Sequence, residues 1–347
     1  MLKTTIVGSL PKPTWLAEPN VLFAPWRVPD DRLAGAQDDA VRLALRDQED
    51  AGLDIVTDGE QRRRHYIWGF LAGLTGIDVE RLGRRMSRGG RYAPETDAAR
   101  VVGEVTRPRD VLLHAVRFAK AHAARPLKVT LPGPLTIVDS VVDEYYRADE
   151  RVLALRFAEL LNQEARALAE AGADVIQFDE PTFNVYVDKV RDWGVTALER
   201  CREGVKATTA VHICYGYGIS QVLKWKQSNR DWSHYAHTLP LLAESRIDQV
   251  SVECAASGVD PSVLRCLKDK DVLVGVIDVG TEEVETPELV ARRIRRVLPH
   301  VSPERLFPCT DCGLVPRSRA AAHGKMEALA AGAAMVRREL GARAEFS

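Results

Sequence analysis

The chain is predicted to fold as an α/β protein of the (β/α)8 TIM-barrel class, with an inserted hairpin or lid after the second strand. Three observations lead there. Eight short runs rich in β-branched residues (TTIVG, DIVTD, LKVTL, VIQFD, TAVHIC, QVSVE, VLVGVI, RLFPC) alternate with amphipathic stretches of helical period, the pattern of parallel strands covered by crossover helices. A length of 347 residues suits one barrel with an insertion. The polar residues able to do chemistry collect just past the strand runs, the end of a barrel where active sites lie.

The first run, TTIVG, breaks at Gly8-Ser9 and gives way to prolines. A helical pattern over 37–51 feeds DIVT, which runs into Asp58-Gly59-Glu60. Residues 61–106 are then polar and Arg-rich (Arg81, Arg84, Arg85, Arg88, Arg91), with Gly89-Gly90 as a turn signal. A stretch this long between strands reads as a functional excursion, here a hairpin or lid. A helix over 109–123 precedes LKVTLP. Helices near 150–171, 192–203, 232–245, 261–268 and 287–298 then feed the remaining runs in turn, and an Ala-rich helix over 320–340 closes the barrel. No tandem repeat or low-complexity segment interrupts this order.

Bulk properties narrow the function. Hydrophobic residues make up 46% of the chain, enough for a large core, and the formal net charge of −1 sets up no field that favours nucleic acid or a membrane surface. No apolar run approaches the ~20 residues of a membrane span, and the first residues lack a signal-peptide pattern. The expectation is a soluble cytoplasmic enzyme. The six cysteines of such a chain point to metal binding or catalysis before disulfides.

Those cysteines supply the chemistry. His212 and Cys214 sit two apart on one strand run, so both face the same side while Ile213 turns away. Glu253 ends the next run, and Cys312 follows the last. An imidazole, two thiolates and a carboxylate make a tetrahedral Zn2+ shell, and ligands so far apart in sequence meet only if the barrel closes. Cys254 adjoins Glu253 on the opposite face and is expected outside the shell. Cys309 and Cys312 form a C-x-x-C, which also reads as a redox pair. Pro308 before it and the loop Gly313 after it favour Cys312 as the ligand, with Cys309 a neighbour.

In this order TTIVGSLP, DIVTDGE, LPGPLT, IQFDEP, VHICYG, SVEC, VGVIDV and CTDCGL resemble the catalytic C-terminal half of the cobalamin-independent methionine synthases. The resemblance spans nearly the whole chain and is to a short stand-alone form without the large amino-terminal barrel. It implies zinc on His212, Cys214, Glu253 and Cys312. It implies homocysteine as substrate, its carboxylate at Val7, Gly8 and Ser9 and its ammonium at Glu60 and Asp179. Read by themselves, Glu60 and Asp179 are strand-end carboxylates suited to an ammonium. The expected reaction is attack of the zinc-held homocysteine thiolate on an activated methyl group, giving methionine.

The donor half matches less well. Ser140 stands where the folate-dependent members carry a stacking Trp, and Gly280 where they carry a His that assists proton transfer. A tertiary-amine leaving group needs an acid, for which Asp278, Glu282 and Glu283 lie near; Asp278 is taken as the candidate catalytic acid. The donor expected is 5-methyltetrahydrofolate, with a methyl-corrinoid as the alternative and a partner protein as a further way to complete the site. The Arg81–Arg91 stretch would then attract an anionic folate tail or an acidic partner, or simply be solvated. Tyr66, Trp68, Tyr215 and Tyr217 are expected at the rim, and His65 on the surface or lid. Two rival functions remain: alkylation of another thiol, of the coenzyme M type, and a zinc- or thiol-binding module without turnover. A sulfonate thiol has no ammonium and would call for Arg or Lys where Glu60 and Asp179 stand.

Overall fold

The computed structural model describes residues 1–344 except positions 20, 94, 148 and 230. Its main sheet holds seven parallel strands in the spatial order β1 (Val56–Thr57), β4 (Leu127–Pro132), β6 (Val175–Asp179), β7 (Thr208–Ile213), β8 (Gln249–Val252), β9 (Asp271–Ile277) and β10 (Leu306–Thr310). The three numbers missing from this order belong to a second sheet, made of the excursion strands β2 (Thr75–Arg85) and β3 (Thr96–Thr106) and the short strand β5 (Val141–Asp143). The strands read as nearly continuous apolar runs because both faces are covered.

The eighth expected strand, TTIVG, closes the barrel without forming a ladder. Thr5 N–H donates to Pro308 O at 3.3 Å on one sheet edge, while Thr4 O accepts from Asp54 and Ile55 N–H, each at 3.1 Å, on the other. Interior side chains take over the carbonyls a ladder would have used. Lys128 Nζ donates to Ile6 O at 2.5 Å, and Gln177 Nε2 to Val7 O at 3.0 Å. Burial holds the Lys128 ammonium down to a pKa of about 8. The result is a TIM-barrel fold, with one stave pinned by side chains.

Helices cover the outside. The helix Glu150–Glu170 buries Leu153, Phe157, Leu160, Leu161 and Leu168 along one stripe, each worth roughly 1.5–3 kcal/mol of transfer free energy. Its one buried acid, Glu164, accepts from Val111 and Leu112 N–H and pairs with Arg107, so it satisfies the start of helix Leu113–His122. Helix boundaries fall within a few residues of expectation at 150–171, 287–298 and 320–340, while the first helix runs farther, Asp30–Asp50. Helix Ser220–Ser228 was not anticipated.

The excursion is an antiparallel hairpin of β2 and β3, with β5 added parallel to β3. Its tip folds inward over the barrel mouth. Arg88 N–H and Nη1 both donate to Asp139 Oδ2, at 2.8 and 2.5 Å, and Tyr186 O–H donates to Asp139 Oδ1 at 2.8 Å. Arg91 Nη2 donates to Asn184 O at 3.1 Å, and its guanidinium lies 3.9 Å from the Trp225 ring centre. This corrects the picture of an outward basic stripe. Arg81 and Arg84 are exposed and paired with Asp78 and Asp97, whereas Arg88 and Arg91 are buried. Arg88 and Arg91 are struts of the lid.

Candidate active site

Strand register sets the site. Asp179 on β6 lies beside His212 on β7, and His212 beside Ser251 on β8. In parallel strands such neighbours share a face, here the one turned to the barrel axis. Ser251 Oγ is 2.8 Å from His212 Nδ1, which fixes the ring and leaves Nε2 buried without a hydrogen-bond partner. Two residues on, Cys214 lies on the same side, with its sulfur 3.6 Å from that of Cys312 in the loop after β10. The donor atoms of His212, Cys214 and Cys312 all fall within 4.8 Å of one another, and all three side chains are buried.

The electrostatics favour a thiolate here. The hydrogen bond from the Cys312 thiol, reinforced by His212, holds Cys214 well below the usual thiol range and pushes Cys312 above it. Burial opposes a charge on His212, but the Cys214 thiolate outweighs it and raises the imidazole pKa. A buried imidazole nitrogen lacking a partner, aimed at two sulfurs that share a proton, is the donor set a soft divalent ion such as Zn2+ requires.

Glu253, the fourth ligand that the resemblance implies, is not among the atoms that lie within 4.8 Å of one another. It is fully buried, Oε1 accepts from Lys226 Nζ at 2.7 Å, and Oε2 accepts from Tyr215 N–H at 3.0 Å. Cys254 turns away, as expected, and its N–H donates to Asp311 Oδ1 at 3.0 Å. Asp311 also takes the N–H groups of Ala255 and Ala256, at 2.9 and 2.6 Å, so it ties the loop after β8 to the residue before Cys312. Cys309 packs in a separate cluster with Ile55, Leu273 and Phe307, where burial pushes its thiol up to about 12. Cys309 and Cys312 thus pack in different clusters, and all six cysteines are free.

A cavity of about 20 Å3 adjoins the sulfurs, lined by Val7, Ser9, Glu60, Asp179, His212, Cys214 and Cys312 on the barrel side and by Tyr66, Tyr92 and Tyr217 on the outer side. Of the residues expected to hold an amino acid, Gly8 alone is missing from that lining. It contributes by having no side chain: a Cβ there would lie 2.7 Å from Thr130 Cγ2 and 3.0 Å from Glu60 Oε1. Ser9 Oγ is buried with no partner. Gly59 and Glu60 both have positive φ, 64° and 57°. That is strained for a glutamate, and it turns the carboxylate into the mouth, where Thr130 Oγ1 donates to Oε1 at 2.8 Å. Burial, with the charge of Glu60 adding to it, raises Asp179 to a pKa of about 7.

The sequence reading missed Tyr92 and Lys226, and named Arg88 only as one of the basic hairpin residues. Tyr92 comes from the hairpin tip; its hydroxyl accepts from Tyr217 N–H at 3.4 Å. Tyr66 O–H accepts from Arg88 Nη2 at 3.1 Å, and the Tyr66 and Tyr217 rings meet edge to face at 6.2 Å. Tyr215, expected at the rim, is buried instead against Trp225, Trp232 and Tyr235. Beyond the tyrosines lies a second cavity, of about 100 Å3, whose walls include Phe23, His65, Trp68, Arg88 and Ser140. His65 stacks on Phe23 at 4.1 Å, and its Nδ1 accepts from Ile67 N–H at the start of helix Tyr66–Leu71. Burial lowers its pKa to about 3, so the ring is neutral. Asp278 lines neither of these two cavities; its Oδ1 accepts from Gly280 N–H at 2.7 Å. Glu282 is engaged by Ser318 and Arg317.

A parallel barrel here carries an imidazole and two thiols at its C-terminal mouth, next to two buried carboxylates, an arrangement suited to thiol chemistry. The chain belongs to the family described as the cobalamin-independent synthase catalytic domain, which it matches over residues 2–335. A methionine synthase of Sulfurisphaera tokodaii is 33% identical over 341 residues, covering 98% of this chain and 94% of that protein. One of Saccharolobus islandicus is 34% identical over 345 residues, with coverage of 98% and 96%. The structure of a B12-independent methionine synthase from Shewanella sp. W3-18-1, in complex with selenomethionine, is 44% identical with a TM-score of 0.95 and covers 99% of both chains. A methyltransferase from Methanosarcina mazei, 16% identical with a TM-score of 0.63, shares the fold alone. The enzyme class is methyltransferase. Among the described residues no helix is long and apolar enough to cross a membrane.

Proposed function

We propose that the chain methylates the thiol of homocysteine to give methionine, with a zinc ion held by His212, Cys214 and Cys312. The observation that carries this is the unpartnered, buried His212 Nε2 facing the Cys214–Cys312 sulfur pair. Zinc bound there supplies the positive charge that keeps an entering thiol deprotonated at neutral pH. The remaining work falls to the chain. Glu60 and Asp179 accept the substrate ammonium, which favours an amino-acid thiol over a sulfonate one. Ser9 Oγ and the turn after Val7 receive the carboxylate. The 44%-identical Shewanella relative was determined with selenomethionine, the selenium counterpart of the product, which supports an amino acid of this size as ligand.

A cavity of about 20 Å3 holds little more than one water, so homocysteine enters only when Tyr92 and Tyr217 move aside. Their return excludes water from the reacting sulfur. The sulfur lone pair forms the new bond to carbon while the donor's bond to that carbon breaks, its electron pair leaving with the donor. The donor approaches through the cavity beyond the tyrosines. Ser140 removes a stacking surface there, and Phe23 and Trp68 provide another. 5-Methyltetrahydrofolate and a methyl-corrinoid are the donor candidates; Asp278, the acid expected from the sequence, lines neither cavity and is left without an assigned part in proton transfer.

Purified zinc-loaded enzyme and homocysteine, offered each donor with and without cell extract, should form methionine. Formation only with extract would assign part of the donor site to a partner protein. Methylation of coenzyme M in preference to homocysteine would contradict the proposal.

A further inference from the structure

Lys12 is a buried ammonium that plays no part in the reaction above. The residue is 9% exposed, and among the described residues its Nζ has neither a hydrogen bond nor an ion pair. The Trp26 ring centre lies 5.9 Å from the nitrogen, and the charges of Glu60, Arg63 and Asp58 act on it from the barrel mouth. Burial outweighs the two carboxylates and lowers the Lys12 pKa to about 8. Burying a charge without a hydrogen-bonded partner is costly, so an anion that reached Lys12 would relieve that cost.

There is room for one. Lys12 lines a cavity of about 160 Å3, several waters in size, which shares no lining residue with the catalytic cavity. Arg317, Ser318 and Arg319 line it too, at the start of the 26-residue helix Arg319–Ala344. A helix start carries partial positive charge and favours an anion. The other charges of the lining are already matched: Arg317 with Glu282, Arg319 with Asp47, and Glu18 with Arg27. Ser318 N–H and Oγ also donate to Glu282. Of the described charged residues in this lining, Lys12 is the one left over. We infer that the cavity binds a small oxyanion, a phosphate or carboxylate group held by Lys12 Nζ at the start of that helix. Its two walls run on from Ser9 and from Gly313, and they are joined where Leu314 N–H donates to Ser9 O at 2.9 Å. An anion gripped between them would steady the turn at Ser9.

Calorimetric titration of the protein with sulfate, inorganic phosphate and glutarate, at an ionic strength held constant with chloride, tests this. Saturable binding of at least one of them is expected, with a melting temperature that rises with its concentration. Phosphate and sulfate binding more tightly than glutarate would assign a phosphorylated ligand, and the reverse order a carboxylate. Lys12→Met should weaken binding by at least about tenfold, the effect of losing a hydrogen bond to a charged group, and Lys12→Arg should retain it. In chloride alone the Met variant should melt no lower than wild type, because it removes an unpaired buried charge; loss of binding is then not loss of fold. Sulfate keeps its charge across neutral and alkaline pH. Its affinity for the wild type should therefore hold below a pH of about 8 and fall above it, as Lys12 gives up its proton. That profile needs no variant. Absence of saturable binding by all three anions, equal binding by Lys12→Met, or a sulfate affinity that stays level through a pH of about 8 would overturn the inference.

Discussion

The two walls of the catalytic cavity are built by different means. The inner wall consists of strand ends, where register alone places Asp179, His212 and Ser251 in one row. The outer wall is assembled from a hairpin tip, a short helix and a loop, which contribute Tyr92, Tyr66 and Tyr217. It is docked by the buried ion pair Arg88–Asp139, with side chains 6% and 5% exposed, and by Arg91 on Asn184 O and the Trp225 ring. A wall fixed by a closed sheet can hold a donor set to fractions of an ångström, and one docked through an ion pair can lift. Acceptor chemistry therefore belongs to the inner wall, and admission of substrates to the outer.

Substitutions that strike one wall and spare the other test this division. The largest effect is expected for Cys312→Ser, which should lose both zinc and activity by more than the ~10–100-fold typical of residues that merely support a ligand, with the hairpin still docked. Metal analysis after dialysis, alongside limited proteolysis of the tip, measures both halves.

Asp179→Asn is expected to come next, through pH. Burial raises the Asp179 pKa from 3.8 to about 7, so the free enzyme loses its carboxylate, and with it an ammonium acceptor, as pH falls through about 7. Wild-type kcat/KM for homocysteine should therefore drop below neutrality; in the Asn variant it should be low throughout and lack that step. The folded chain takes up this proton more readily than the unfolded chain, so its contribution to stability is lost as pH rises from about 4 to about 7. The Asn variant should accordingly be more stable than wild type at pH 8 but not at pH 4, which thermal melts of the ligand-free proteins would reveal.

Arg88→Met strikes the outer wall alone. Stranding the Asp139 carboxylate should cost about 3–5 kcal/mol of lid docking. Cleavage in the tip (residues 86–93) should become faster, while zinc content stays at the wild-type level. The smallest effect is expected for Asp278→Asn, because that carboxylate lines neither cavity beside the tyrosines. A fall in kcat of less than about tenfold, read from steady-state kinetics, is expected; a larger one would place the donor's acid at Asp278.

Legibility in the sequence followed the same division. Period-two spacing put His212 and Cys214 on one side of a strand, and strand-end position singled out Glu60, Asp179 and Cys312, because in a barrel those features translate directly into space. Glu253 was found by the same logic, but its pairing with Lys226 was not. That contact comes from helix Ser220–Ser228, nine residues with one buried position, too weak a pattern to stand out. The hairpin announced itself by its length and its Gly-Gly turn. Which of its arginines turn inward is decided by Asp139 and Asn184, some 50 and 90 residues farther on, and local composition carries no trace of that. The closing segment TTIVG was legible as a stave, though its reliance on Lys128 and Gln177 was not.

X-ray absorption at the zinc edge, recorded before and after addition of homocysteine, tests the central claim most directly. Joining of the substrate sulfur to His212, Cys214 and Cys312 predicts one added sulfur neighbour with the imidazole contribution retained. A shell that stays the same on addition of saturating homocysteine would contradict it.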